Sequence, residues 1–436
     1  MTEATFHRSD PAVQLPGMLL RDHWFNLPLD HHGHRPGRIE VFAREVIAPS
    51  AKADTPWLVF LQGGPGCESP RPPASASWLP RALQEYRVLL LDQRGTGRSS
   101  RLDTRAIEAL GSPAAQAEYL THFRADAIVA DCELIRHQLL DGARWSVLGQ
   151  SFGGFCATHY LSAAPAGLRE VFITGGLPPL TGHADDVYRR TYALVRAKNE
   201  RYYERYPQDV DRVRRIVRHL AEHDVRMPDG ARLTARRFLQ LGMNLGMSDG
   251  FETIHYLVED AFVAGPDGAE IHYAFMKGVE NGLSFQSNPL FAIIHEACYG
   301  QADATRWSAH RILAEFPEFE IDPAAGRPIL FTGEMVFPWM FDDYPRLAPL
   351  KDAAQRLAEC DWPRLYDPAR LASNEVASAA AVYHDDMYVD RELSLATARN
   401  IRGLRVWITN EFEHNGLRTH GERVLGRLIE LVRGQA

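Results

Sequence analysis

Ser151 sits between glycines in the run Gly149-Gln150-Ser151-Phe152-Gly153-Gly154. A serine hydroxyl is a weak nucleophile until a base takes its proton and fixed donors hold the oxyanion that attack creates. The G-x-S-x-G spacing suits a sharp turn from strand to helix, where glycines leave room for the two elements to approach and the turn lifts the hydroxyl clear. Chance matches occur at this length, so the neighbouring residues decide. Trp145-Ser-Val-Leu148 reads as a short buried strand, and residues 155–164 read as a helix of small and apolar side chains. The last stretch, Asn410-Glu-Phe-Glu-His414-Asn-Gly416, offers a histidine as base on a loop after a strand, with His420 as the rival. Sites of this kind run serine, acid, histidine along the chain. That order leaves Asp385, Asp386 and Asp390 as candidates for the acid.

These residues can meet only if the surrounding elements bring them to one edge of a sheet. Trp57–Leu61 is a continuous apolar run, as expected of a strand covered on both faces. It ends in Gln62-Gly63-Gly64-Pro65-Gly66, which can continue neither strand nor helix and so forms a loop with free amides. Beside an elbow, that loop reads as an oxyanion hole, with the N–H of Gly64 acting together with that of Phe152. A second buried strand, Tyr86–Asp92, leads into Gln93-Arg94-Gly95-Thr96-Gly97, where Asp92 and Arg94 are expected to brace the turn. Residues 18–48 alternate like a hairpin. Strand, helix, strand, elbow and helix in succession predict a mostly parallel sheet with helices on both faces.

After Pro179 the pattern changes to helix-spaced Arg, Glu, Tyr and His, and sheet-like runs return only near Ala379. The expected organisation is a core over residues 1–180, a helical cap over 181–375, and the rest of the core over 376–436. The arginine runs in the cap read as solvated helix faces.

Three motifs carry a family resemblance. Gln62-Gly-Gly-Pro-Gly66 resembles the H-G-G-P-G loop of the proline iminopeptidase family of α/β-hydrolases, with Gln62 replacing the usual histidine. Asp92-Gln-Arg-Gly-Thr-Gly-Arg-Ser99 resembles that family's D-Q-R-G-x-G-x-S, and Gly149–Gly154 resembles its G-x-S-W/F-G-G. The resemblance implies an α/β-hydrolase fold with an inserted cap, and selects Asp386, because Tyr383-His-Asp-Asp386-Met is similar to the family's strand end. It also implies a serine aminopeptidase that frees an N-terminal residue, preferably proline, from peptides with a free amino terminus. Cap glutamates would then bind the substrate ammonium. Glu334 lies in the aromatic stretch Phe331–Phe341 and Glu296 follows the apolar run Leu290–His295. A carboxylate in such surroundings needs a cation, whether substrate or an internal partner such as Arg306 or Arg311. Phe337, Trp339 and Phe341 would offer the ring pocket, Gly63 would line the site, and Glu252 and Glu259 are weaker candidates. No cofactor or metal is required. An esterase or amidase blind to free amines is the alternative, and a binding protein with a dormant site is the third reading.

Composition narrows the rest. A net charge of −8 and the absence of a basic cluster argue against nucleic-acid or membrane-surface binding. The five scattered cysteines form no C-x-x-C motif, which suits a reducing cytoplasm better than a disulfide or zinc framework. The opening residues show no leader pattern and no segment is apolar enough to span a membrane. Oligomeric state leaves no trace in the pattern.

Overall fold

The computed structural model describes residues 7–72, 77–266 and 268–435. The first six residues, on which the expectation about a leader rests, lie outside the described ones. The strands in chain order are β1 (His7–Ser9), β2 (Val13–Leu15), β3 (Met18–Pro28), β4 (Arg38–Ile47), β5 (Trp57–Leu61), β6 (Arg87–Asp92), β7 (Trp145–Gln150), β8 (Leu168–Thr174), β9 (Phe262–Gly265), β10 (Gly268–Ile271), β11 (Ala377–Tyr383) and β12 (Leu404–Thr409). The main sheet runs β1-β3-β4-β6-β5-β7-β8-β11-β12, with β2 also on β3. Pairing is antiparallel from β1 to the β4–β6 contact and parallel from β6 onward. This is the mostly parallel sheet expected from the succession of strands and helices.

Side chains alternate across β5 as a period of two requires. Leu58 and Phe60 pack with Val424, Leu425 and Leu428 of the C-terminal helix Gly421–Arg433, whereas Val59 and Leu61 join Ile128, Ile135 and Cys156 on the other face. All are essentially inaccessible to water. Burying each Leu, Ile or Phe contributes about 1.5–3 kcal/mol against chain entropy. Two-sided burial explains the unbroken apolar run at residues 57–61.

β5 lies between β6 and β7, so the chain leaves it in opposite directions along the sheet. That reversal opens a crevice beyond the carboxyl ends of the strands, where the loop after β5 and the turn after β7 come together. Asp92 and Arg94 brace this rim. Asp92 accepts from Ser69 and Arg98 backbone N–H groups and pairs with Arg71. Arg94 is bonded to Asp131 and to the carbonyls of Leu29 and His122.

Between β8 and β11 the described residues add only the β9–β10 pair, which is separate from the main sheet; the rest is helices and loops. One of these helices, Ala184–Arg205, buries the stripe Val187, Tyr188, Thr191, Tyr192, Val195, Lys198, Asn199 and Tyr202. The C-terminal helix Gly421–Arg433 follows a separate short helix, Gly416–Thr419.

Candidate active site

Ser151 joins β7 to the helix Phe152–Ala163 with φ of 54° and ψ of −123°. That conformation costs a non-glycine residue about 1–3 kcal/mol and persists only where its surroundings enforce it. They do so by close contact. A Cβ on Gly149 would collide with Gly153 backbone, one on Gly153 with the Leu61 carbonyl, and one on Gly154 with Gly176 backbone. The Ser151 N–H is held by the Thr174 carbonyl at 3.0 Å. Three glycines and the end of β8 thus fix the elbow.

Gly63 approaches Ser151 so closely that an added Cβ would stand 2.9 Å from Ser151 Cβ. Gly64 follows at φ of 126°, a conformation suited to glycine. Phe152 opens its helix, so its N–H has no acceptor within that helix. The glycine loop and the helix start therefore flank the serine.

His414 Nε2 lies 3.0 Å from Ser151 Oγ, and His414 Nδ1 lies 2.7 Å from Asp386 Oδ2. An ionised carboxylate only accepts, so Nδ1 carries the proton and Nε2 is free to accept from the serine hydroxyl. Asp386 Oδ1 accepts from the backbone N–H groups of Tyr388 and Val389 at 2.8 and 3.1 Å. Burial works to lower the His414 pKa, but the carboxylates of Asp386, Glu334 and Glu413 outweigh it and the net direction is upward. Gly175, at φ of 49°, lies beneath this pair: a Cβ there would meet Asp386 Oδ2 and His414 Nδ1 at 3.2 Å each. The rival residues lie elsewhere. Asp385 is bonded to Arg201, Asp390 caps the helix Arg391–Arg399, and His420 is an exposed residue whose Nδ1 bonds Thr419.

Glu334 and Glu296 part company. Glu334, its side chain 14% exposed, has no arginine or lysine partner among the described residues; its nearest cationic candidate is His295, with Nε2 4.0 Å away. Burial pushes the Glu334 carboxyl up to about 7, and it interacts with both His414 and Asp386. Burial drives His295 the other way, down to about 4, so it stays neutral near pH 7. Glu296 is used differently. Its two oxygens accept from the backbone N–H groups of Ser308 and Ala309 at 3.0 and 2.9 Å, capping the turn Ser308–Ile312. Those bonds engage its carboxylate with the backbone of that turn. Arg311, offered as an internal partner, is bonded to Asp185. Glu252 bonds Tyr206 and Glu259 bonds Arg212.

Phe337 and Trp339 stack at 5.4 Å, with His310 edge-on to Phe337 and Arg236 above Trp339. Phe341 packs against Trp307. A second aromatic series escaped the sequence reading: Phe152, Phe155, Tyr299 and His295 contact one another in turn, from the elbow to the neighbour of Glu334. Residues 175–176, a Gly-Gly pair directly after a strand, were a readable signal of the close approach beneath the site.

An α/β-hydrolase fold family model matches residues 56–261. A proline iminopeptidase of Aeromonas sobria is 48% identical over 422 residues, covering 96% of this chain and 98% of the relative. The chain belongs to the proline iminopeptidase family. A second member, from Aspergillus aculeatus, is 37% identical over 433 residues, covering 95% of this chain and 94% of the relative. Among solved structures, a proline iminopeptidase of Mycobacterium smegmatis aligns over 94% of this chain and 98% of its own, with 14% identity and a TM-score of 0.45. Among the described residues no helix is long and apolar enough to cross a membrane.

Proposed function

We propose that this chain is a serine aminopeptidase that releases an N-terminal residue, preferably proline, from peptides through an acyl-enzyme. One observation carries the reading: the serine–histidine–aspartate chain of 3.0 and 2.7 Å interacts with a largely enclosed carboxylate, Glu334, that has no arginine or lysine partner among the described residues. Ser151 Oγ attacks the carbonyl of the first residue while His414 Nε2 takes the hydroxyl proton. The N–H groups of Gly64 and Phe152 hold the oxyanion, and losing one such donor typically costs about 3 kcal/mol. His414 then returns the proton to the leaving amine, and water cleaves the prolyl ester by the same route. Asp386 keeps the imidazole in its tautomer and stabilises the imidazolium.

Glu334 supplies selectivity for a free amino terminus. A substrate ammonium neutralises a carboxylate that is costly to keep charged in this environment, whereas an internal peptide bond offers it no cation. The Phe155–Tyr299–His295 series and the stacked Phe337–Trp339 pair form the apolar walls for the ring, with Gly63 leaving room at the serine. The chemistry needs no cofactor. All five cysteines are unpaired, which suits work on peptides in a reducing cytoplasm.

The test is hydrolysis of proline-β-naphthylamide beside its N-acetylated form and a simple acyl ester. Fast turnover confined to the free amine supports the reading. Preference for the ester, or no discrimination between free and acetylated proline, replaces it with an amine-blind esterase or amidase.

A further inference from the structure

The helix Ala184–Arg205 reaches the segments that bear Glu334, His414 and Asp386. Its Val195 packs on Gly333, and Asn199 bonds both backbone groups of Phe331, at 2.9 Å to the carbonyl and 2.8 Å from the N–H. These contacts hold the stretch leading to Glu334. Lys198 donates from Nζ to both Glu413 oxygens at 2.6 and 2.7 Å, and Glu413 immediately precedes His414. Arg201 donates to Asp385 at 3.1 Å, and Asp385 immediately precedes Asp386.

The two ion pairs are not equivalent. The Arg201 side chain is 54% exposed, so solvent screens its pair and little stability rests on it. Lys198 is 3% exposed, in the middle of the helix's buried stripe. A lysine ammonium is not buried there without a partner, and Glu413 is that partner.

We propose that Lys198 is a positioning residue for His414: its ammonium neutralises Glu413 and ties the histidine loop to the cap helix. This rests on the Ser151–His414–Asp386 reading above. The charged groups facing His414 are Asp386 and Glu413 from the core and Glu334 from the cap, all of them acidic. Those facing Glu413 are Lys198, Asp386 and Asp385, and Asp385 has its own partners in Arg201 and His384. Burial raises the Glu413 pKa, and the Lys198 ammonium at 2.6 Å opposes that rise. Removing the ammonium leaves His414 facing the same three acids with the Glu413 charge no longer neutralised. Removing the carboxylate instead leaves an uncompensated cation in the same place.

The two single variants therefore move the imidazole in opposite directions, which a purely structural brace does not do. The experiment is the pH profile of kcat on proline-β-naphthylamide for Lys198→Met, Glu413→Gln and the double variant, with Lys198→Arg as the charge-conserving control. His414 must be neutral to accept the serine proton, so kcat rises with pH through its pKa. In Lys198→Met the acid limb moves up by about half to one pH unit, and in Glu413→Gln it moves down by a similar amount. The double variant and Lys198→Arg return to the wild-type position. If Lys198→Met does not fold, Glu413→Gln alone must still move the limb downward. Unmoved limbs, or single variants shifting in the same direction, overturn the proposal. A Ser151→Ala variant that keeps its activity overturns the triad reading instead, so the two failures are distinct.

Discussion

Replacing Glu334 with glutamine separates recognition from stability, and the structure fixes the sign of each effect. The carboxyl ionises near 4.5 in its ordinary state, but burial in the folded chain pushes it up to about 7. Between those values the folded state keeps a proton that the unfolded chain has lost. Stability therefore falls as pH rises through this window, and the loss is complete above about pH 7. A difference of about 2.5 pH units corresponds to about 3 kcal/mol. With the side chain only 14% exposed, screening removes little of that. Glutamine carries no such proton. Measured by urea denaturation, the variant should gain about 3 kcal/mol on the wild type between pH 4.5 and pH 8. Recognition should move the opposite way. Loss of a charged hydrogen bond to the substrate ammonium costs about 1.5–3 kcal/mol, or about a 10- to 150-fold fall in kcat/KM on proline-β-naphthylamide. The β-naphthylamide of cyclopentanecarboxylic acid has the ring without the nitrogen and should be turned over no more slowly by the variant. A stability gain that does not vary with pH refutes the burial argument. Equal losses on both substrates refute the ammonium receptor.

Three further outcomes follow from close contacts. Gly175→Ala sets a methyl 3.2 Å from Asp386 Oδ2 and His414 Nδ1 on a backbone at φ of 49°, so kcat should fall by about tenfold or more while circular dichroism stays native. Gly63→Ala crowds Ser151 Cβ at 2.9 Å and should lower kcat by about a hundredfold with a smaller effect on KM. Glu296→Ala strands the N–H groups of Ser308 and Ala309, so urea denaturation should show a loss of about 2 kcal/mol or more. The ratio of rates on prolyl and cyclopentanecarbonyl substrates should stay unchanged in that variant, which separates Glu296 from Glu334.

The elbow was legible because its physics is local. Gly149, Gly153 and Gly154 are required by backbone contacts that any side chain would violate, so they appear in the sequence as a pattern. The strand run at residues 57–61 was legible for a similar reason, since burial on both faces demands unbroken apolar residues. Glu296 and Glu334 could not be separated this way. Both lie in apolar stretches, and what distinguishes them is whether a backbone N–H arrives from elsewhere, in this case from residues 308 and 309. Lys198 was hidden among the charges of Arg196-Ala-Lys198-Asn199-Glu200-Arg201. Helical spacing held the missing signal: Lys198 and Asn199 continue the apolar stripe through Tyr188, Tyr192 and Val195, where polar residues are expected only with buried partners.

Whether Ser151 is the nucleophile is settled most directly by covalent capture. The protein is treated with a fluorophosphonate, digested, and mapped by mass spectrometry. The mechanism above requires a single adduct on Ser151, formed more slowly in His414→Ala and absent in Ser151→Ala, with loss of proline-β-naphthylamide hydrolysis in step with labelling. An adduct on another residue that accounts for the lost activity, or full turnover by Ser151→Ala, would contradict it.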